Sequence, residues 1–421
     1  LKVKGSEDSS DAKVQIWGRE KELSSLQSRF LSTVSQEQNN SSRHMQRYYW
    51  VSGVSGIGKT SLVDAFLQHG NVSVMRPIIC RGAFDENWMD ASKAFPGIMT
   101  CFAELFQNFL DGDEREEWSE RIQNCIQDES EIALLISLIP SLAILLDRES
   151  DDVKYSFKKT DKNLFRKLSR VLVRILSLAC DYSIVIFSLD DVQWAGDDSL
   201  NLLEALLLTE DLRNFFFVGS HRSGIKVSHS LHKIKAEVYD LFGADLKLGG
   251  IGIKSARSLI RSHLRVLDPH AVIDQRVLEL VVKSWYKHSN SKIPIFLKHL
   301  VHRLYESGAF KVKKGTWILE SPKVLPSSSL SLVVERIEDL TEECNAVLKS
   351  AALLDTNSFD TDMLMVAIAA DTKYKSLEID DKSLDKILRT LIGKIMIEEH
   401  SPGYYGFAHN VVKVAISSRF S

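Results

Sequence analysis

Apolar and polar positions along this chain follow two alternating periods. In Glu20–Phe30, apolar side chains fall at Leu23, Leu26 and Phe30, the spacing of one helix face. Tyr48-Tyr49-Trp50-Val51 is an unbroken apolar run that predicts a strand, and Leu62–Leu67 returns to the helical period. Val72-Ser73-Val74-Met75 alternates and continues to Ile79, which predicts a second strand. Phe95–Leu110 carries Phe95, Ile98, Met99, Phe102, Leu105, Phe106 and Phe109 on one broad helical face. Helices are expected to continue over Glu117–Leu146, kinked at Pro140, and over Leu164–Ala179. Ser183–Leu189 is β-rich and unbroken, the mark of a strand buried on both faces of a parallel sheet. Asn214–Ser220 repeats that pattern, and a fifth strand is expected at Val238–Leu241. Strands alternating with helices predict an α/β fold, a three-layer sandwich around a mostly parallel sheet.

Beyond this the texture changes. Lys254–Leu267 reads as a basic helix with a solvated face, and Ile293–Leu300 opens another helix with Pro294 in its first turn. Phe310–Leu319 alternates around Lys314-Gly315, a hairpin signal. The Pro/Ser-rich stretch Ser321–Ser331 marks a boundary. Short helices follow at Val333–Leu340, Asn345–Leu354, Asp362–Ala370 and Ser383–Leu391. Met396–His409 then reads as two strands around Pro402-Gly403. Helices closed by a hairpin describe a winged-helix module, in which His409 is expected to be a packed core residue. Polar loops are expected at 35–46 and at Arg148–Lys162.

Length and composition narrow the classes. A chain of 421 residues is too long for one ordinary domain. The net charge of -3 provides no global basic field for nucleic acid or a membrane surface. The five cysteines are scattered and form no C-x-x-C pair, so neither zinc nor a disulfide framework is expected, and a reducing, cytoplasmic setting is. The most apolar stretch, Ile132–Leu146, is broken by Pro140 and too short to span a membrane. A start at Leu1, with no apolar signal segment in residues 1–14, is expected of an excerpt from a longer protein that opens on a linker.

The chemistry centres on Gly53-Val54-Ser55-Gly56-Ile57-Gly58-Lys59-Thr60, between a predicted strand and a predicted helix. The spacing is G-x-x-x-x-G-K-[ST], the phosphate-binding P-loop. Its glycines let successive backbone N–H groups turn inward, and the following helix start, with Ser61, adds partial positive charge. Lys59 is placed to reach the outer phosphates and Thr60 to hold Mg²⁺. The buried strand ending at Leu189 is followed by Asp190 and Asp191, where ligands of open α/β sheets bind. This is the Walker B arrangement: Asp190 is expected in the Mg²⁺ shell, and Asp191 is expected to orient and polarise the attacking water. Arg222, at the exit of the next strand, is positioned to feel the γ-phosphate, with His221 only a neighbour. The loop lacks the G-x-G-x-x-G of a dinucleotide site, and no N-K-x-D guanine-reading tetrad is present.

With these motifs the chain resembles the STAND-class P-loop ATPases of the AAA-16 type over about Ile16 to Phe420. The resemblance is carried by Trp17-Gly18-Arg19-Glu20, the P-loop, Leu189-Asp190-Asp191-Val192-Gln193-Trp194-Ala195 with Asp198-Ser199-Leu200, and Gly219-Ser220-His221-Arg222. Pro294-Ile295-Phe296-Leu297 resembles the family's G-x-P helix, Phe407-Ala408-His409 the end of its winged helix, and Ile132–Leu146 a family helix insertion. It departs from the pattern at Lys292, where the family has glycine, and at His221, often tyrosine. The resemblance implies adenine contacts from Trp17, Gly18, Arg19 and Pro294, and ATP or ADP with Mg²⁺ as ligands. It implies an ATPase core at 15–245, a helical lid-like domain with a hairpin at 246–325, and a winged helix at 326–421. It further implies a regulatory switch with slow hydrolysis, closed on ADP and self-associating on ATP, linked to sensor or effector domains outside this chain. It assigns neither a second-sensor arginine nor a trans-acting one. Two other readings compete: a DNA-binding, replication-initiator-like AAA ATPase and a nucleotide scaffold that never hydrolyses. The expected wing, Glu398-Glu399-His400-Ser401-Pro402-Gly403-Tyr404, carries acid and no Lys or Arg, which argues against phosphate contact there.

Overall fold

The computed structural model describes residues 16–37, 47–84, 95–111, 115–126, 128–148, 162–209, 212–223, 231, 243–288, 292–320, 329–354, 359–370, 377, 379–401, 403–408, 412–413 and 415–417. The expected 1–14 linker, the strand at Val238–Leu241 and His409 lie outside them. The chain divides into two compact units: one holds most residues up to Lys247, the other Leu248–Ser421 together with the loop Gly53–Gly58.

The first unit is built on a five-stranded sheet of order β2-β3-β4-β1-β5. Its strands are β1 (Tyr48–Gly53), β2 (Ile78–Ala83), β3 (Val185–Asp190), β4 (Phe215–Arg222) and β5 (Gly243–Lys247). The pairs β1–β5, β2–β3 and β3–β4 are all parallel. Its helices among the described residues include α1 (Glu20–Glu37), α2 (Lys59–Leu67), α3 (Gly70–Ser73), α4 (Pro96–Asp111), α5 (Arg115–Cys125), α6 (Glu129–Leu138), α7 (Ser141–Leu145), α8 (Lys162–Tyr182) and α9 (Asp197–Leu207). Strand side chains alternate faces, and β4 uses this to join two helix layers. Phe216 meets Phe30 of α1 and Phe66 of α2 at 5.4 and 5.8 Å between ring centroids. On the opposite face Phe215 meets Phe187 at 5.4 Å, and Phe187 meets Phe102 of α4 at 5.4 Å. On α8, Leu168, Val171, Leu172, Ile175, Leu176 and Ala179 form one fully buried stripe, the period read from the sequence.

Two expectations need correction. Val72–Met75 is not the start of a strand. Gly70–Ser73 makes one helical turn, capped by the His69 ring accepting from the Asn71 N–H, and β2 begins only at Ile78. Alternation over four residues also fits one turn, with Val72 buried and Val74 at 83% exposed. Residues 35–37, expected in a polar loop, extend α1 to Glu37. Among the described residues the sheet's fifth strand is Gly243–Lys247, paired along β1 from Tyr48↔Gly243 to Ser52↔Lys247.

The second unit contains two apolar clusters. One is built by helices Ile253–Leu267, Gln275–His288 and Pro294–Glu306, with Trp285, Phe310 and Trp317 in its core. The expected hairpin, β7 (Phe310–Lys313) and β8 (Thr316–Leu319), turns at Lys314-Gly315, both at positive φ. The two-residue strand β6 (Val272–Ile273) joins it in parallel, which no periodicity could reveal. The other cluster is built by helices Ser329–Glu338, Glu342–Leu353, Thr361–Ala370 and Asp381–Gly393 and the antiparallel pair β9 (Ile397–Ser401) and β10 (Tyr404–Phe407). A buried ionic cluster links the two. The Arg336 side chain, 0% exposed, reaches Glu306 at 3.1 Å and His299 Nδ1 at 2.6 Å and donates to the Lys394 carbonyl. Lys394 adds a second cation 3.0 Å from Glu306.

Candidate functional site

The loop Gly53–Gly58 leaves β1 and runs directly into α2 at Lys59. Gly56 and Gly58 have φ of +73° and +97°, where a side chain would be strained. Gly53 has no room for one: a Cβ would lie 2.8 Å from Ile57 Cγ2 and 3.2 Å from the Leu248 carbonyl oxygen. Both features suit a loop whose backbone must curl to offer its N–H groups. Lys59 opens α2 and is buried at 7% exposure, whereas Thr60 and Ser61 are exposed. Burial pushes the Lys59 ammonium down from its ordinary pKa, while Asp191 and Asp190 oppose that shift.

Asp190 ends β3 and Asp191 follows it directly, and the neighbouring strand β4 brings Ser220 and Arg222 alongside them. Thr60 Oγ1 donates to Asp190 Oδ2 at 2.6 Å, so the two expected metal ligands are already adjacent. Asp191 adopts left-handed backbone, φ 50° and ψ 41°, which turns the chain into a short 3₁₀ turn at Val192–Trp194. That turn folds Gln193 back, and its Nε2 donates to Asp191 Oδ1 at 2.8 Å. Gln193 Oε1 accepts from the Arg222 N–H at 2.8 Å, tying β4 to the same carboxylate. The Arg222 guanidinium lies 3.5 Å from Asp191 Oδ2 and 5.7 Å over the Trp194 ring, within cation–π range. Burial and the Asp190 charge raise the Asp191 pKa above its ordinary value, while Arg222, Gln193 and Lys59 restrain the rise.

Of the residues singled out in the sequence, Lys59, Thr60, Asp190, Asp191 and Arg222 gather at the carboxyl ends of β3 and β4 and the start of α2. Gln193 and Ser220 belong to the same group, although the sequence reading attached no role to either. The signal available was a polar residue at an apolar strand end, two positions from an acid or an arginine. Trp17, Gly18 and Arg19 precede α1; Gly18 has φ +73°, and buried Arg19 pairs with Glu22 at 3.1 Å. Pro294 is the first residue of its helix, in the second unit, preceded by Lys292 at φ +52°. His221 is buried against Trp50, ring centroids 6.2 Å apart.

The donor set can be tested for fit. The hard oxygens of Thr60 and Asp190, 2.6 Å apart, suit Mg²⁺. That ion is ordinarily held by one or two protein oxygens plus phosphates and waters. No helix among the described residues is long and apolar enough to cross a membrane.

Comparisons with known proteins add the following. Residues 15–218 match the family model of the AAA ATPase domain. Comparison with curated proteins finds no match. Among solved structures, the Aeropyrum pernix ORC2 protein, in ADPNP–ADP complexes, is similar with 13% identity and a TM-score of 0.42, over 98% of this chain and 99% of that one. A Pyrococcus horikoshii signal transduction ATPase with numerous domains, bearing a tetratricopeptide repeat sensor, is similar with 14% identity and a TM-score of 0.48. That match covers 97% of this chain and 43% of the other. Cdc6p from Pyrobaculum aerophilum is similar with 11% identity and a TM-score of 0.42, over 98% of both chains. The family-model match spans slightly less than half of the chain, and residues 15–218, which carry the P-loop between β1 and α2, are similar to the AAA ATPase domain family.

Proposed function

We propose that this chain is the nucleotide switch of a multidomain signalling protein: it binds ATP, hydrolyses it slowly, and controls domain opening and self-association by which nucleotide it holds. The observation carrying this reading is the convergence of Lys59, Thr60, Asp190, Asp191 and Arg222. The backbone N–H groups of Gly53–Gly58, with Ser61 at the helix start, bind phosphate oxygens, and Lys59 reaches the outer ones. Thr60 and Asp190 hold Mg²⁺, which when bound neutralises charge on the phosphates. Asp191 orients a water and takes its proton as the water oxygen bonds to the γ-phosphorus and the bridge to the ADP oxygen breaks. Arg222 stabilises charge on the transferred group.

Slow turnover is supported by Arg222 resting against Asp191, because the base is neutralised until the arginine leaves it. In this reading 15–245 is the ATPase core, with Trp17, Gly18 and Arg19 as adenine contacts, 246–325 a lid-like domain that carries Pro294, and 326–421 a winged helix. Sensor or effector domains lie outside this chain. A cytoplasmic setting is supported by five free thiols. The replication-initiator reading is disfavoured by the Glu398-Glu399 pair on β9, where a DNA-contacting wing would be basic.

The test is Lys59→Ala. It is expected to abolish nucleotide binding in equilibrium titration; tight Mg-ATP binding retained by this variant would refute the P-loop assignment.

A further inference from the structure

The two carboxylate oxygens of Asp190 keep different company. Oδ2 accepts from Thr60 Oγ1 at 2.6 Å, on the side where the proposed metal is held. Oδ1 accepts from the Ser220 hydroxyl and, at 2.8 Å, from the Asp191 N–H. Ser220 lies in β4 and is 2% exposed, so water does not compete for its proton. The hydroxyl has a single proton to donate, and Asp190 Oδ1 takes it; its oxygen lies 3.4 Å from the Asp191 N–H, which donates to it weakly.

A carboxylate turns easily about its last torsion, whose wells are broad. Two donors on Oδ1 fix the carboxylate plane and leave the other oxygen facing Thr60. Without the Ser220 hydroxyl, Oδ1 would keep only the N–H of Asp191, a residue whose backbone is left-handed. Ser220 and Arg222 are two positions apart on one strand, so their side chains share a face of the sheet. One strand thus carries both the hydroxyl that orients Asp190 and the guanidinium beside Asp191.

We propose that Ser220 is a positioning residue: by holding Asp190 Oδ1, it presents Oδ2 beside Thr60 to the Mg²⁺ that accompanies the nucleotide. This inference rests on the nucleotide-binding reading above.

The experiment uses the full chain and a fluorescent ADP analogue, titrated in EDTA and over a range of Mg²⁺ concentrations. Ser220→Ala is expected to weaken apparent Mg²⁺ affinity in the nucleotide complex by about 10- to 100-fold, the usual cost of losing an outer-shell partner. Its affinity for the analogue in EDTA should stay within about twofold of the parent's. Ser220→Thr, which keeps the hydroxyl, should restore the Mg²⁺ dependence. Ser220→Cys, which keeps the packing but donates weakly, should reproduce the loss if the alanine variant does not fold. A parental Mg²⁺ dependence in the alanine or cysteine variant overturns the inference. So does an equal loss of affinity with and without Mg²⁺, which would reveal a packing role. Failure of the parent chain to bind the analogue at all would instead remove the nucleotide-binding reading, and this inference with it.

Discussion

Gln193→Ala isolates the geometry that holds the proposed base. Gln193 is 8% exposed and makes two 2.8 Å hydrogen bonds, one to the Asp191 carboxylate and one from the Arg222 backbone. It contacts neither Lys59 nor Thr60 in any bond described above, so nucleotide binding should survive. A hydrogen bond to a charged group is worth about 1.5–3 kcal/mol. If that stabilisation is needed only when Asp191 faces the attacking water, its loss enters the barrier. At 1.36 kcal/mol per tenfold, hydrolysis should fall by about 10- to 150-fold. The assay is single-turnover ATP hydrolysis with enzyme in excess, alongside the equilibrium Kd for ATP, which should change by less than about threefold. Gln193→Glu places a negative group beside Asp191 and should move the acid limb of the pH–rate profile upward by more than Gln193→Ala does, which only removes the restraint that the Gln193 hydrogen bond puts on the Asp191 pKa. A single-turnover rate within threefold of the parent's would refute the positioning role.

Four further outcomes are expected. Asp191, its pKa raised by burial and Asp190 above the ordinary 3.8, acts in its ionised form. Hydrolysis should therefore fall as pH drops through that raised value, and a limb at the ordinary carboxylate value would remove Asp191 from the base role. The same shift has a stability sign: a carboxyl raised in the fold contributes stability below its unfolded pKa that is lost as pH rises through the folded value. Asp191→Asn should accordingly keep ATP binding, lose hydrolysis and melt higher at pH 7, as read by thermal denaturation. Arg336→Met leaves Glu306, whose side chain is 21% exposed, with Lys394 as its ionic partner, and removes the Arg336 bonds to His299 Nδ1 and the Lys394 carbonyl; losing hydrogen bonds made by a charged group costs about 1.5–3 kcal/mol. At about 2–4 °C per kcal/mol the second unit should melt roughly 3–12 °C lower, and a shift under about 2 °C would show the cluster to be stabilising nothing. Finally, duplex DNA affinity measured against ionic strength should show no steep salt slope; a strong one would revive the initiator reading.

What could be read from the sequence was local. The P-loop announces itself because glycine spacing, lysine and threonine are consecutive demands on one backbone segment. The buried strand before Asp190 is legible because an unbroken apolar run needs no partner to be recognised. The long helices of the first unit were read because their stripes repeat over several turns, as on α8. What stayed hidden depends on elements distant in sequence. Ser220 acquires a role only when β4 is laid beside β3, and Gln193 only when Asp191 turns left-handed. Arg336 and Glu306 lie on separate helices, and nothing in either local pattern announces their pairing. β6 has two residues, too few to display any period. At Val72–Met75 four residues cannot distinguish alternation from one turn of helix, and the His69 ring that caps the turn lies before the alternating run.

The left-handed backbone at Asp191 biases how sequences descended from this one can change. A non-glycine residue there costs on the order of 1 kcal/mol of strain, added to the cost of keeping a carboxylate beside Asp190. Glycine would relieve the backbone, and asparagine the charge, each in a single substitution. Either change removes the group proposed to accept the water's proton while leaving Lys59 and Thr60 in place. Loss of hydrolysis is thus rewarded by a firmer fold, and its recovery is resisted by the same margin. The two directions of change at this one position are therefore unequal in their effect on stability.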